Sequence, residues 1–231
     1  MPSTLYSAVV FVHVAVGTIA LLSFWTAGFA RKGSPLHRTV GRVFLLAMCG
    51  IGLTAVPMAA VQFARGNPAT GVFLAYLIVL TATASLRAWF AIRRKRDAQR
   101  FYGRWYRGLA LANLGSAAGV LACGLATHAL LLTGFSVVGF GIGLQMWRSG
   151  RGPLHPRWWL REHYRGMLGN GVATHVAFLS IGFGRLLPAY AGVAQTLAWF
   201  GPLAVSIAVG FWLKRRYGFN KPLAQSPVSA A

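Results

Sequence analysis

The feature that most constrains this chain is where its charges are missing. Lys, Arg, Asp and Glu are absent from 1–30, 43–64, 66–86, 108–147, 166–184 and 186–213. A bilayer's hydrocarbon core takes about 20 helical residues to cross. Five of these runs suit one crossing each. The sixth, Gly108 to Trp147, would reach about 60 Å as one helix, about twice the hydrocarbon thickness. It must therefore fold back, and CGLATH, Cys123 to His128, offers the turn. The predicted fold is all-α: a bundle of seven transmembrane helices over 5–30, 35–64, 69–95, 105–124, 127–147, 163–186 and 192–214. Residues 1–221 form one membrane domain, and the tail 222–231 reads as disordered.

The chain carries 23 Lys and Arg against two acidic residues, Asp97 and Glu162, a formal net charge of +21. Such a charge would suit a nucleic-acid binder if it lay on one face of a soluble domain. It does not. With the N-terminus outside, alternate loops collect Arg31, Lys32, Arg38 and Arg42; Arg87 and the cluster Arg93 to Arg107; Arg148 to Arg165; and Lys214, Arg215, Arg216 and Lys221. Only Arg65 and Arg185 fall on the other side. Basic loops stay cytoplasmic, so the N-terminus is predicted outside and the C-terminus inside. This excludes a nucleic-acid partner. It implies a multi-pass protein of a bacterial inner membrane, whose partners are the bilayer and the anionic headgroups at its cytoplasmic loops.

The first apolar run reaches Ala30 and lacks a basic start, so it reads as a retained anchor rather than a cleaved signal. Cys49 and Cys123 are predicted too far apart for a disulfide. Trp89, Tyr102, Trp105, Tyr106, Trp147, Trp158, Trp159, Tyr164, Trp212 and Tyr217 gather toward the inner boundary and read as an interfacial belt. Gly115 with Gly119, Gly139 with Gly143, and Ser180 with Gly184 have the spacing that lets helix backbones approach closely.

In KGSPLHRTVGRVF, Lys32 to Phe44, Ser34 is placed to cap the second helix and Pro35 to occupy its first position. His37 then lies in the first turn, with Gly41 one turn on; His13 and Gly17 repeat the pattern in helix one. A glycine four residues from a histidine leaves a groove in which a ligated porphyrin can lie, and Arg38 and Arg42 can pair with its propionates. Depth sorts the histidines into an inner layer, His37, His155 and His163, and an outer one, His13, His128 and His175. Two layers of imidazole fit two b-type haems, with iron passing electrons between the faces. The alternative functions for the same histidines are interfacial phosphate contacts, interhelical hydrogen bonds or a zinc site, the last ranked below haem because few carboxylates accompany them. With two acidic residues, neither in an uncharged run, carboxylate acid–base pairs and proton relays are not expected. Helix seven has no central lysine for a retinal Schiff base.

The segment His13 to Ala55 resembles the start of a bacterial integral membrane family catalogued as domain of unknown function 2306. The likeness rests on His13, Gly17, Lys32, Gly33, Leu36, His37, Arg38, Gly41, Arg42, Val43 and Phe44, and on Glu162, His163, Met167, Gly169 and Ala173 in a later segment. It implies a multi-pass membrane protein and puts emphasis on His13, His37 and His163; it brings no activity with it. An internal echo, Pro35-Leu36-His37 against Pro153-Leu154-His155, suggests a three-plus-one-plus-three parallel repeat. The functional expectation is a haem b electron-transfer protein, an oxidoreductase if it is an enzyme, with a quinone or another membrane redox partner. The alternatives are a small-solute transporter with a polar midplane cavity lined by Thr81, Thr83, Asn113 and Ser116, and a non-catalytic membrane subunit or assembly factor.

Overall fold

The computed structural model describes residues 3–151, 154–186 and 191–219. Pro153 of the second Pro-Leu-His, Lys221 and the tail 222–231 lie outside them, as do the side chains of Gly184 and Arg185. Eight helices run in chain order: α1 (Ser3–Phe29), α2 (Pro35–Ala64), α3 (Pro68–Arg93), α4 (Ala98–Phe101), α5 (Arg104–Ala126), α6 (Leu130–Arg148), α7 (Trp158–Leu186) and α8 (Ala191–Arg216). Among the described residues there is no strand. Seven helices are long, and among the described residues six, α1, α2, α3, α5, α6 and α8, are apolar enough over a sufficient length to cross a membrane. Phe11, Phe29, Leu46, Leu53, Leu130, Val137 and Phe211 are exposed on their outer faces, an apolar surface that suits lipid and not water.

The start of α2 is built as expected. The Ser34 hydroxyl accepts from the His37 backbone N–H at 3.2 Å, with Pro35 at the first helical position. The end of α1 has a cap of its own: Lys32 Nζ donates to the carbonyls of Ala27 and Gly28 at 2.9 and 2.5 Å. Two of the carbonyls that a helix end leaves unpaired are thereby satisfied. Lys32 thus has a structural role beyond holding its loop at the headgroups, and burial pulls its ammonium below the usual lysine value. Gly33 turns the chain between the helices with φ of +83°, a backbone region that glycine enters without strain.

The bundle is organised around α3. It packs on α2, α5 and α7; α1 lies along α2, α6 along α5, and α8 along α7. Gly139 and Gly143 make α6 pack closely, since a Cβ on Gly139 would stand 2.7 Å from Tyr76 Oη of α3 and 3.0 Å from Ala117 of α5, and one on Gly143 2.7 Å from Leu114 Cγ of α5. Gly115 and Gly119, in contrast, have nothing within 4 Å and face away from the other helices. Their spacing provides a flat surface but no partner. The expected repeat is not matched in the packing either. Its counterpart pairs would be α1 with α2 and α6 with α7, yet α6 docks on α5 through its own glycines instead.

Two boundaries differ from those expected. The basic loop after α3 contains the one-turn helix α4, whose N-cap Asp97 accepts from the Arg100 N–H at 2.8 Å. α7 starts at Trp158, five residues before the predicted His163. Glu162 is therefore helical and fully buried instead of lying in a loop. Part of the aromatic belt is also interior. Tyr106 and Trp158 are buried with Phe101, which has Tyr102, Trp105, Tyr106 and Trp158 around it at 4.9–5.4 Å between ring centroids. Trp89 and Trp212 stay exposed, as a belt requires. Cys49 and Cys123 are both free thiols.

Candidate functional site

α7 carries polar residues along its length, and Glu162, Asn170 and Thr174 turn inward and are buried. Asn170 Nδ2 donates to Ser85 Oγ at 3.0 Å, and the Thr174 hydroxyl donates to the Asn170 carbonyl at 2.9 Å. Its glycines bring it close to its neighbours. A Cβ on Gly166 would stand 2.5 Å from the Ala84 carbonyl of α3, and one on Gly171 would stand 2.6 Å from Phe24 of α1.

One turn below Gly166, the buried carboxylate of Glu162 ties four helices together. Arg87 of α3 donates to Oε2 through Nε and Nη2 at 3.1 and 2.8 Å. The Tyr106 hydroxyl of α5 donates to the same oxygen at 2.9 Å, and Arg87 Nη2 also donates to Gln145 Oε1 of α6 at 3.0 Å. The exposures are 4% for Arg87 and 0% for Glu162. Sequence reasoning counted Arg87 among the orientation charges of a loop and placed Glu162 outside the membrane runs; both are interior. A sequence signal was present. Arg87 shares a helix face with Thr83, Ala84, Ala88 and Ala91, a stripe of small residues where only a paired cation could be tolerated.

The polar side of this centre is incompletely satisfied. Glu162 Oε1 is buried without a hydrogen bond, with Arg165 Nη1 3.6 Å away. Arg161 Nε and Tyr102 Oη are buried without partners as well. Burial pushes the Tyr102 phenol above its usual value, and the carboxylate of Glu162 adds to this.

The histidines divide by the role of Nδ1. A backbone carbonyl can only accept, so the ring nitrogen facing one must carry the proton. His37 Nδ1 donates to the Ala27 carbonyl at 3.0 Å, His163 Nδ1 to Ala88 at 3.1 Å, and His175 Nδ1 to Gly171 at 2.7 Å. His13 Nδ1 lies 2.7 Å from Thr54 Oγ1, whose own proton goes to the carbonyls of Gly50 and Ile51, so the ring again donates. In all four the Nδ1–H is engaged, which turns Nε2 toward any metal that the neutral ring would bind. His155 is the reverse: its Nδ1 accepts from the Arg157 N–H at 3.1 Å. His128 sits in the exposed turn between α5 and α6 with φ of 53°.

His37 and His163 are each tied to a neighbouring helix, His37 to the Ala27 carbonyl near the end of α1 and His163 to the Ala88 carbonyl near the end of α3. His155 packs instead against Phe219, beyond α8, with ring centroids 4.5 Å apart and the planes tilted by 59°. His13 and His175 do not share a site. His175 packs on Phe24 and Trp25 at 5.4 Å, and these lie about 16 Å along α1 from His13. The groove beside His37 is open, with nothing within 4 Å of a Cβ built on Gly41, whereas Phe178 lies 3.6 Å from one on Gly17. Arg38 and Arg42 are exposed at the same end. Among the described residues, no three His, Cys, Asp or Glu side chains gather as a metal site, so the zinc alternative finds no triad.

A cavity of about 1400 Å³ lies between α1, α2, α3, α6, α7 and α8, running from Tyr6 and His13 at one end to Arg165 and Lys214 at the other. Of the residues expected to line a solute path, Thr81 and Thr83 line it. Asn113 does not; its amide donates to Thr83 Oγ1 and to the Leu109 carbonyl, both at 2.7 Å. Ser116 is not in the lining either, and the walls are mainly apolar. Compared with protein-family models, with curated proteins and with solved structures, the chain matches none.

Proposed function

We propose that this chain crosses a bacterial inner membrane seven times, with its N-terminus outside, and is an electron-transfer protein that binds b-type haem between His37 and His163. For the seventh crossing the support is the inward polarity of α7, since residues costly in lipid are tolerated where they face a bundle interior. For the orientation it is the basic excess of alternate loops. The resemblance to the domain of unknown function 2306 emphasises the same two histidines.

The observation that carries the haem reading is the anchoring of both rings. Each imidazole is held through Nδ1–H on the carbonyl of another helix, which restricts the ring and leaves Nε2 as the nitrogen free to take a metal. The open groove at Gly41 leaves space beside His37 for a flat macrocycle, and exposed Arg38 and Arg42 suit its propionates. Haem b, once bound, supplies one-electron chemistry. Protein purified in detergent from haem-replete cells is expected to show a Soret band that sharpens on reduction. A colourless preparation without iron by metal analysis would overturn the reading.

The cavity favours a second reading, transport. In the redox reading it holds a lipophilic partner such as a quinone, which its apolar walls suit; in the transport reading it carries solute. Thr81→Cys in a Cys49→Ser/Cys123→Ser background separates them. Labelling by a hydrophilic thiol reagent from both sides supports transport. Absence of labelling, with quinone retained through purification, supports the redox reading.

A further inference from the structure

A second, smaller pocket of about 290 Å³ opens where α6 ends and α7 begins, lined by Gln145, Arg148, Ser149, Arg151, Arg161 and Arg165. Four guanidinium groups converge on it, and Arg87 stands just behind Gln145. The nearby carboxylate is Glu162, whose Oε2 is used by Arg87 and Tyr106 and whose Oε1 lies 3.6 Å from Arg165 Nη1, so that among the described residues Arg148, Arg151 and Arg161 have no ion pair. Gln145 and Ser149 are committed to each other, the amide donating to Ser149 Oγ at 2.7 Å while that hydroxyl donates to the Gln145 carbonyl at 2.8 Å. The pocket thus holds a cluster of like charge in partly desolvated surroundings, which costs free energy until an anion joins it. Arg161 Nε, buried without a partner, is a further donor still without an acceptor.

We infer that this pocket is a binding site for a phosphate group. The volume is several times that of a water molecule, and guanidinium forks match phosphate oxygens with paired hydrogen bonds. Gln145 and Arg165 line both this pocket and the large cavity, so the two spaces share a wall. A phosphate here can therefore belong to a lipid whose chains reach the apolar cavity, or be a free phosphate from the aqueous side. The inference does not depend on haem.

The test uses the full chain in detergent, with the thermal midpoint followed while inorganic phosphate replaces chloride at constant ionic strength. A parallel titration uses short-chain phosphatidic acid with phosphatidylcholine as control. Wild type is expected to show a saturable upward shift. Arg148→Gln/Arg151→Gln, at the rim, and Arg161→Gln, at the floor, are each expected to bind about tenfold more weakly, as the loss of charge-assisted hydrogen bonds implies. If Arg161→Gln does not fold, the rim double variant decides. Tighter binding of phosphatidic acid than of phosphate assigns the site to a lipid headgroup; equal binding of the two assigns it to free phosphate. The same midpoint in phosphate, phosphatidic acid and chloride, or equal affinities in wild type and the rim variant, would overturn the inference.

Discussion

Glu162→Ala tests the interior reading of α7. The substitution removes three hydrogen bonds, two from Arg87 and one from Tyr106, and leaves the Arg87 guanidinium, 4% exposed, without its counter-ion. Breaking a buried ion pair from one side costs about 3–5 kcal/mol, because the surviving charge is still desolvated. The Gln145 carbonyl oxygen remains as one acceptor for Arg87, so a value near the lower end, about 3 kcal/mol, is expected. That loss lowers the folded-to-unfolded ratio by roughly a hundredfold. Replacing both partners, as in Arg87→Met/Glu162→Leu, removes the charges together and is expected to recover most of it. Equilibrium unfolding in mixed micelles, followed by tryptophan fluorescence, measures the full cycle. A loss below about 1 kcal/mol for Glu162→Ala, or a double variant as unstable as the sum of the singles, would refute the reasoning.

Gly166→Ala is expected to destabilise by about 1–3 kcal/mol in the same assay, since its Cβ would stand 2.5 Å from the Ala84 carbonyl and push α3 from α7. Gly115→Ala, with nothing within 4 Å, is expected to change stability by less than about 0.5 kcal/mol. Ser34→Ala removes the α2 cap and should cost about 1 kcal/mol, with Ser34→Asp restoring most of it.

What the sequence makes legible follows from which interactions are local. Uncharged runs mark the apolar helices because charge in lipid is costly, and Ser34 with Pro35 marks a helix start because capping acts within one turn. Arg87 and Glu162 are 75 residues apart, and nothing local to either names the other. Counting Arg87 among the loop charges and starting the helix at His163 therefore left Glu162 outside the bundle and began α7 five residues late. The stronger clue lay in scarcity: Glu162 is one of two acidic residues in a chain of net charge +21, so many arginines compete for it. For the glycines, spacing was legible and facing was not. Gly139 and Gly143 meet α5, while Gly115 and Gly119 meet nothing. Among the histidines, spacing and depth were legible, but which carbonyl holds each ring was not: His37 bonds across to Ala27 and His163 across to Ala88, contacts between helices that no local pattern names.

The proposed histidine pair is tested most directly by the reduced-minus-oxidised absorption of His37→Ala and His163→Ala beside His128→Ala and His155→Ala, each normalised to folded protein. Loss of the haem signal in the first two, with it kept in the last two, is the predicted result. Equal signals in all four variants, or none in the unaltered protein, would contradict the account.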